Sequence, residues 1–132
     1  MADGEDGALL DAMPFSVATG VVLVRAEPEE VRARLAWAPE RCTAGGLLHG
    51  GALMALADTI GAAATILNLP DGASTTTLES KTNFFAAGRA GVVRAESTPL
   101  HRGKRTMVWQ TRVTDDGGRL LSLTIQTQMV LV

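Results

Sequence analysis

The longest apolar run in the chain extends from Gly50 to Leu67, and Asp58 is its only ionisable residue. Its length and its Ala-, Leu- and Met-rich make-up predict a helix that is apolar all round, and so enclosed on more than one side. Elsewhere the pattern shifts to a period of two. Val31 to Trp37 alternates apolar with polar or small residues, as a half-buried strand does. With the β-rich stretch Ser16 to Ala26 and the charged turn Glu27-Pro28-Glu29-Glu30 it reads as a hairpin. Gly7 to Met13 reads as a short helix stopped by Pro14, and Pro39 to Leu48 as an irregular approach to the long helix. Pro70-Asp71-Gly72 is a turn signal. Four strands are predicted after it, at about Ser74 to Phe85, Gly91 to His101, Arg105 to Asp115 and Arg119 to Leu131. Gly88 to Gly91, Arg102-Gly103-Lys104 and Asp115-Asp116-Gly117-Gly118 punctuate them as hairpin turns. On the last strand Leu121, Leu123, Ile125, Thr127, Met129 and Leu131 share one face. Ser122, Thr124, Gln126 and Gln128 share the other.

A hairpin, one long helix and a four-stranded meander fit a single domain over residues 1–132. One sheet of this size has an apolar face to cover, and only one long helix to cover it. The prediction is an α+β architecture, a strongly curved antiparallel sheet wrapped around the central helix.

Asp58 is where the pattern turns to chemistry. A lone buried carboxylate is costly, so such groups are paired, neutralised or put to use. A membrane span is opposed by the same residue, which at a span's centre costs roughly 2.5–3.5 kcal/mol. The flanks of the run also lack the Lys, Arg, Trp or Tyr that anchor a span. A Gly-rich phosphate loop lacks its spacing here. A core helix whose Asp58 only hydrogen-bonds to backbone stays open.

Composition narrows the function classes. A net charge of −2 and a pI near 5.6 argue against a nucleic-acid surface. The single cysteine, Cys42, cannot form an internal disulfide and reads as a half-buried structural thiol, compatible with a reducing compartment. Two histidines and one cysteine without ligand-like spacing give no metal signature. Met1 to Asp6 is acidic and small, unlike a signal peptide, so the expected location is cytoplasmic.

Leu48-His49-Gly50-Gly51 followed by Asp58 is the first of three motifs. The others are the strand Thr77-Leu78-Glu79-Ser80-Lys81-Thr82-Asn83-Phe84 and the turn Leu100-His101-Arg102-Gly103-Lys104-Arg105-Thr106. In this order they resemble the hotdog-fold acyl-CoA thioesterases of the phenylacetate-pathway type, related to the 4-hydroxybenzoyl-CoA thioesterases. The resemblance covers roughly Phe15 to Val130. It implies hydrolysis of an acyl-CoA to a free acid and CoA, with CoA as part of the substrate and no separate cofactor. By the same resemblance Gly50 would donate its N–H to the thioester carbonyl, and His49 would orient the loop at the helix start. Asp58 would be the base for water, or a nucleophile forming a mixed anhydride. Arg102, Gly103, Lys104 and Arg105 would meet the phosphates of CoA. Elementary physics agrees with the Gly50 role, because a helix N-terminus presents unpaired N–H groups and about half a positive charge. Thr59, Thr77 or a partner's helix end would hold Asp58 ionised by hydrogen bonding. Thr77 is the residue to expect there, since relatives often place a hydroxyl near this point.

One position departs from the pattern. Many relatives carry Asn or Gln six residues before the His, where this chain has Thr43. A non-catalytic acyl-CoA-binding subunit therefore stays open beside the hydrolase, whereas the Asp58 position argues against a hydratase on the same fold. Gly50 and Asp58 are eight residues apart, about 12 Å along one helix. If both act on one thioester they must come from different subunits, so the expected unit is at least a homodimer. The resemblance extends that to a homotetramer, and leaves the acyl group open.

Overall fold

The computed structural model describes residues 4–132, so Met1 to Asp3 of the acidic N-terminal stretch lie outside it. In chain order the elements are α1 (Gly4–Asp11), α2 (Pro14–Thr19), β1 (Val22–Glu27), β2 (Glu30–Ala36), α3 (Gly50–Ile66), β3 (Ser74–Phe84), β4 (Val92–Arg102), β5 (Thr106–Thr114) and β6 (Leu120–Leu131). The strands form one antiparallel sheet in the order β1-β2-β4-β5-β6-β3. α3 touches all six. A helix only about 10–12 Å across reaches six strands spaced about 4.8 Å apart only if the sheet curls around it. The predicted hotdog architecture is therefore the one observed. No described helix is long and apolar enough to cross a membrane.

The core is the lining of that wrap. Leu53, Leu56, Ile60, Ala63 and Ala64 of α3 are buried with Val31, Leu35, Val93, Trp109, Val113 and Leu121 of the sheet.

One sequence expectation changes, and one point that the sequence left open is decided. The stretch from Ser16 is not strand until Val22, because Pro14 opens a short helix there instead of only stopping one. Gly20, at φ +90°, closes that helix as a left-handed cap. The Ser16 hydroxyl then docks the turn onto α3 through Thr59 Oγ1 at 2.6 Å.

The open point is which face of β6 lies inward. A sheet wrapped round an apolar helix would be expected to offer it the apolar row. In fact Ser122, Thr124, Gln126 and Gln128 face inward and are at most 1% exposed. Leu123, Ile125, Met129 and Leu131 lie on the outer face, each partly exposed. Leu121 alone of the apolar row turns in, next to the register shift between β5 and β6. Pairing explains the inversion. Thr124 sits opposite Thr82 with their hydroxyls 2.7 Å apart, and Gln126 and Gln128 sit opposite Ser80 and Thr77 of β3. Thr124, Gln126 and Gln128 find partners on β3 and α3, which lets them be buried, whereas Ser122 Oγ has none among the described residues.

Leu56, fully buried beneath the wrap, sets the scale of core packing. Leu56→Ala should lose about 2–5 kcal/mol of stability, read from urea unfolding.

Candidate functional site

Two constellations lie along α3, one at its start and one at its middle. At the start, His49 is the N-cap. Its backbone is extended (φ −61°, ψ 135°) and its Nδ1 accepts the Gly51 N–H at 2.7 Å. A ring nitrogen that accepts carries no proton, so the imidazole hydrogen belongs on Nε2. The loop is tied from both sides. His49 N–H donates to the Arg41 carbonyl at 2.9 Å, and Leu48 N–H to the Gly88 carbonyl at 2.8 Å. Gly51 is required by the cap, since a Cβ there would stand 2.8 Å from Nδ1. His49 thus caps the helix and is tied to the loop before it. Gly50 N–H donates to no group among the described residues. The Phe84 ring covers this glycine, 3.2 Å from where a Cβ would be.

At the middle, Asp58 Oδ1 accepts from the Thr77 hydroxyl at 3.1 Å and from Gln126 Nε2 at 3.2 Å. Asp58 Oδ2 has no partner among the described residues. Thr77 has one proton to give and also lies 2.5 Å from Gln128 Oε1, so its bond is shared between the amide and the carboxylate. Thr59 does not serve Asp58. Its hydroxyl donates to the Ala55 carbonyl and pairs with Ser16.

The expected burial of Asp58 is corrected as well. In the single chain it is exposed, because this face of α3 meets the sheet at its last strand. There the carboxylate opens into a groove of about 240 Å³ lined by Met54, Ala55, Asp58, Thr77 and Ser80. A β-bulge shapes the groove. The β3–β6 register shifts between Thr77 and Glu79, leaving Leu78 unpaired. Without that extra residue Thr77 and Ser80, three apart, could not both face the helix.

The basic turn stands apart from both constellations. Thr77, Gln128, Met107 and Arg102 follow one another across four neighbouring strands, three spacings, about 14 Å. The Arg102 guanidinium donates to Asn68 Oδ1 at 3.3 Å and to the Pro28 carbonyl at 3.5 Å. Lys104 and Arg105 are exposed, with no side-chain partner among the described residues. Gly103 closes the hairpin by donating to the Thr106 carbonyl at 2.9 Å, where a Cβ would strike His101.

Thr43 is exposed and touches neither constellation. Its N–H donates to the Leu47 carbonyl at 2.8 Å, and its hydroxyl makes no hydrogen bond among the described residues. What sequence reasoning missed is the glutamine pair, Gln126 and Gln128. The available signal was two amides at i and i+2 among hydroxyls, on one face of a strand whose other face was apolar. No three His, Cys, Asp or Glu side chains gather as metal ligands among the described residues.

Comparison with known proteins bears on this arrangement. The model for the Thioesterase superfamily matches residues 45–122. The chain belongs to the thioesterase superfamily. The matched stretch holds His49, Gly50, Asp58, Thr77 and the basic turn, but neither Thr43 nor the glutamine pair. The 1,4-dihydroxy-2-naphthoyl-CoA hydrolase of Escherichia coli K12 is 40% identical over 86 residues, 65% of this chain and 63% of that protein. The proofreading thioesterase EntH of Cronobacter sakazakii is 39% identical over 74 residues, 56% of this chain and 54% of its own length. The chain thus spans less than two thirds of either thioesterase relative. Among solved structures, a mutant thioesterase from Pseudomonas aeruginosa superposes with a TM-score of 0.90 at 25% identity, covering 98% of this chain and 96% of that one.

The cap at the head of α3 can be tested apart from any chemistry. His49→Ala should cost about 1 kcal/mol of stability in urea unfolding. Gly51→Ala, which crowds Nδ1, should lose a similar amount, while His49→Asn, another capping residue, should retain most of it.

Proposed function

We propose that this thioesterase-superfamily chain hydrolyses an acyl-CoA thioester to the free acid and CoA, at sites shared by two subunits. The observation that carries the reading is Asp58. One of its oxygens is held by two donors, the other has no partner among the described residues, and the residue lines a groove at the sheet's open edge. On the same helix, about 12 Å away, Gly50 offers an N–H with no partner among the described residues. The E. coli relative, by its name, acts on a CoA thioester, which supports the substrate class.

In this reading the Gly50 N–H of one subunit polarises the thioester carbonyl, and Asp58 of the other supplies the chemistry. Two courses balance. Asp58 takes a proton from water, the hydroxide adds to the carbonyl, and the tetrahedral intermediate expels CoA thiolate, which is then protonated. Alternatively, an Asp58 oxygen attacks, CoA thiolate leaves, and water cleaves the mixed anhydride. CoA enters as part of the substrate. Lys104 and Arg105, with Arg102, would meet its phosphates, and Gly103 keeps that turn tight.

The second subunit is argued from the edge of the sheet. β3 is an 11-residue strand with one side unpaired, and Leu78, Phe84, Phe85 and Met54 are exposed beside it. Such an edge invites another strand. A second copy added about a two-fold axis sets two α3 helices antiparallel, which brings Gly50 of each towards Asp58 of the other. One observation favours a different reading. Thr43 stands clear of Asp58, so an amide that many relatives offer from this loop is missing, as it would be in a subunit that binds acyl-CoA without turning it over.

Thiol release from a panel of aryl- and alkanoyl-CoAs decides between them. Turnover on at least one, reduced at least about 100-fold by Asp58→Asn, is the expected result. CoA binding without turnover on any would favour the binding subunit. Site sharing has its own test, since Gly50→Pro removes the N–H at a position where proline suits a helix start, its ring displacing the exposed Phe84 side chain. Random mixing of the two inactive variants should restore roughly one quarter of wild-type activity, half the dimers being mixed and each holding one intact site. No restoration would mean that each site lies within one chain.

A further inference from the structure

We infer that Gln126 is a positioning residue for Asp58, seated by Gly61 and oriented by Gln128. The inference rests on the hydrolytic reading of Asp58 above. Gln126 is fully buried and Gln128 is 1% exposed, so their amides cannot fall back on solvent and must find partners inside. Those partners form one directed chain. Gln126 Nε2 donates to Asp58 Oδ1 at 3.2 Å and to Gln128 Oε1 at 3.0 Å. Gln128 Nε2 in turn donates to the Thr75 hydroxyl at 3.1 Å.

The carboxylate sets the direction of the whole chain. An ionised Asp58 only accepts, so Gln126 must show it the NH₂ end of its amide. The second N–H of that group then needs an acceptor, which forces Gln128 to present its oxygen. Its own NH₂ is thereby turned to Thr75. Reversing Gln126 would set its oxygen against the carboxylate, and reversing Gln128 would set its NH₂ against that of Gln126. The chain therefore works in both directions, and a fixed pair of amides also fixes the Asp58 side chain. It loads Oδ1 and leaves Oδ2 without a partner among the described residues, on a side chain that lines the groove.

Gly61 makes the seat. It lies one turn after Asp58, on the same face of α3. A Cβ at this position would come within 2.3 Å of both Cδ and Oε1 of Gln126, and within 2.6 Å of Nε2. Any side chain would push the amide off Asp58. This contact carries two costs at once, a glycine inside a helix and a buried Gln126 Oε1 without a hydrogen-bond partner. Alanine at 61 with an apolar residue at 126 would avoid both. A core maintained for packing alone would not hold this arrangement, whereas a carboxylate that must be aimed requires it.

The test uses the full-length protein and an acyl-CoA that wild type hydrolyses. Gln126→Ala and Gly61→Ala, each checked for folding by circular dichroism and thermal melting, should lower kcat 10-fold or more with KM within about 2-fold. Gly61→Ala retains the amide and only displaces it. The double variant should therefore be no worse than either single one. Gln126→Leu, close in size, stands in if Gln126→Ala does not fold. A folded Gln126 variant with kcat within 2-fold of wild type overturns the inference. So does a loss carried by KM alone, or additive losses in the double variant. Asp58→Asn separates the two failures. If it stays active, the hydrolytic reading falls and this inference with it. If it is inactive while the Gln126 variants keep wild-type kcat, only the positioning role falls.

Discussion

The structure turns on one constraint: α3 must lose its apolar surface to a sheet while a carboxylate on the same helix stays in reach of solvent. A sheet that covered every face would bury Asp58 and penalise its charged form. A flat sheet would leave half the helix exposed. The observed answer is a curled sheet that stops at β3, so that Leu56 and Ile60 are sealed inside while Asp58 emerges at the rim. The bulge at Leu78 refines that rim. It turns both Thr77 and Ser80 towards the helix and leaves the strand's far side open.

Keeping the carboxylate at the rim would leave it free to wander among rotamers, and the polar row of β6 answers this. Glycine in place of alanine within a helix costs about 1 kcal/mol, and a buried polar atom without a partner about 1–3 kcal/mol. Both are comparable to a sizeable share of a small domain's net stability. They fall on the same contact, between Gly61 and Gln126, directly beside Asp58. That coincidence distinguishes the glutamine pair from the hydroxyls around it. Ser97, Thr111 and Ser122 also bury oxygens without partners among the described residues, yet none of them is hydrogen-bonded to an ionisable group. Thr43, in the loop before α3, stands clear of Asp58, and the amide beside Asp58 comes from β6.

Much of this was legible in the sequence, and what was not had a physical reason. The long helix, the four later strands and their turns follow from hydrophobic period and from Gly, Pro and Asp at the breaks. His49 and Asp58 stand out because each interrupts an apolar segment. Ser16 to Thr19 misled because its β-prone composition was outweighed by two backbone signals, Pro14 at the start and Gly20 at the end. The orientation of β6 could not be read from its alternation alone. Two clean faces were evident, but which one lies under the helix depends on partners distant in sequence, Thr82, Ser80 and Thr77 on β3 and Gly61 on α3. A row of four polar residues is cheap to bury only when another strand satisfies it, and one sequence read strand by strand does not pair them. The exposure of Asp58 was hidden for the same reason. The apolar run describes the helix, whereas exposure depends on where the sheet ends.

The rim also explains why the two constellations on α3 need not be close to each other. Within one chain the free N–H of Gly50 and the free oxygen of Asp58 are separated by more than two helical turns, too far for one carbonyl carbon to meet both. Rigid helix geometry admits no adjustment that would bring them together. The edge that leaves Asp58 exposed is also the edge with an unpaired strand and a cluster of uncovered apolar side chains. Closing that edge with a second copy would shield the apolar residues, pair the open strand and deliver the missing half of each site in one step. The exposed carboxylate and the exposed Leu78, Phe84 and Phe85 are thus consequences of the same unfinished edge. In this reading completing the fold and completing the chemistry are one event.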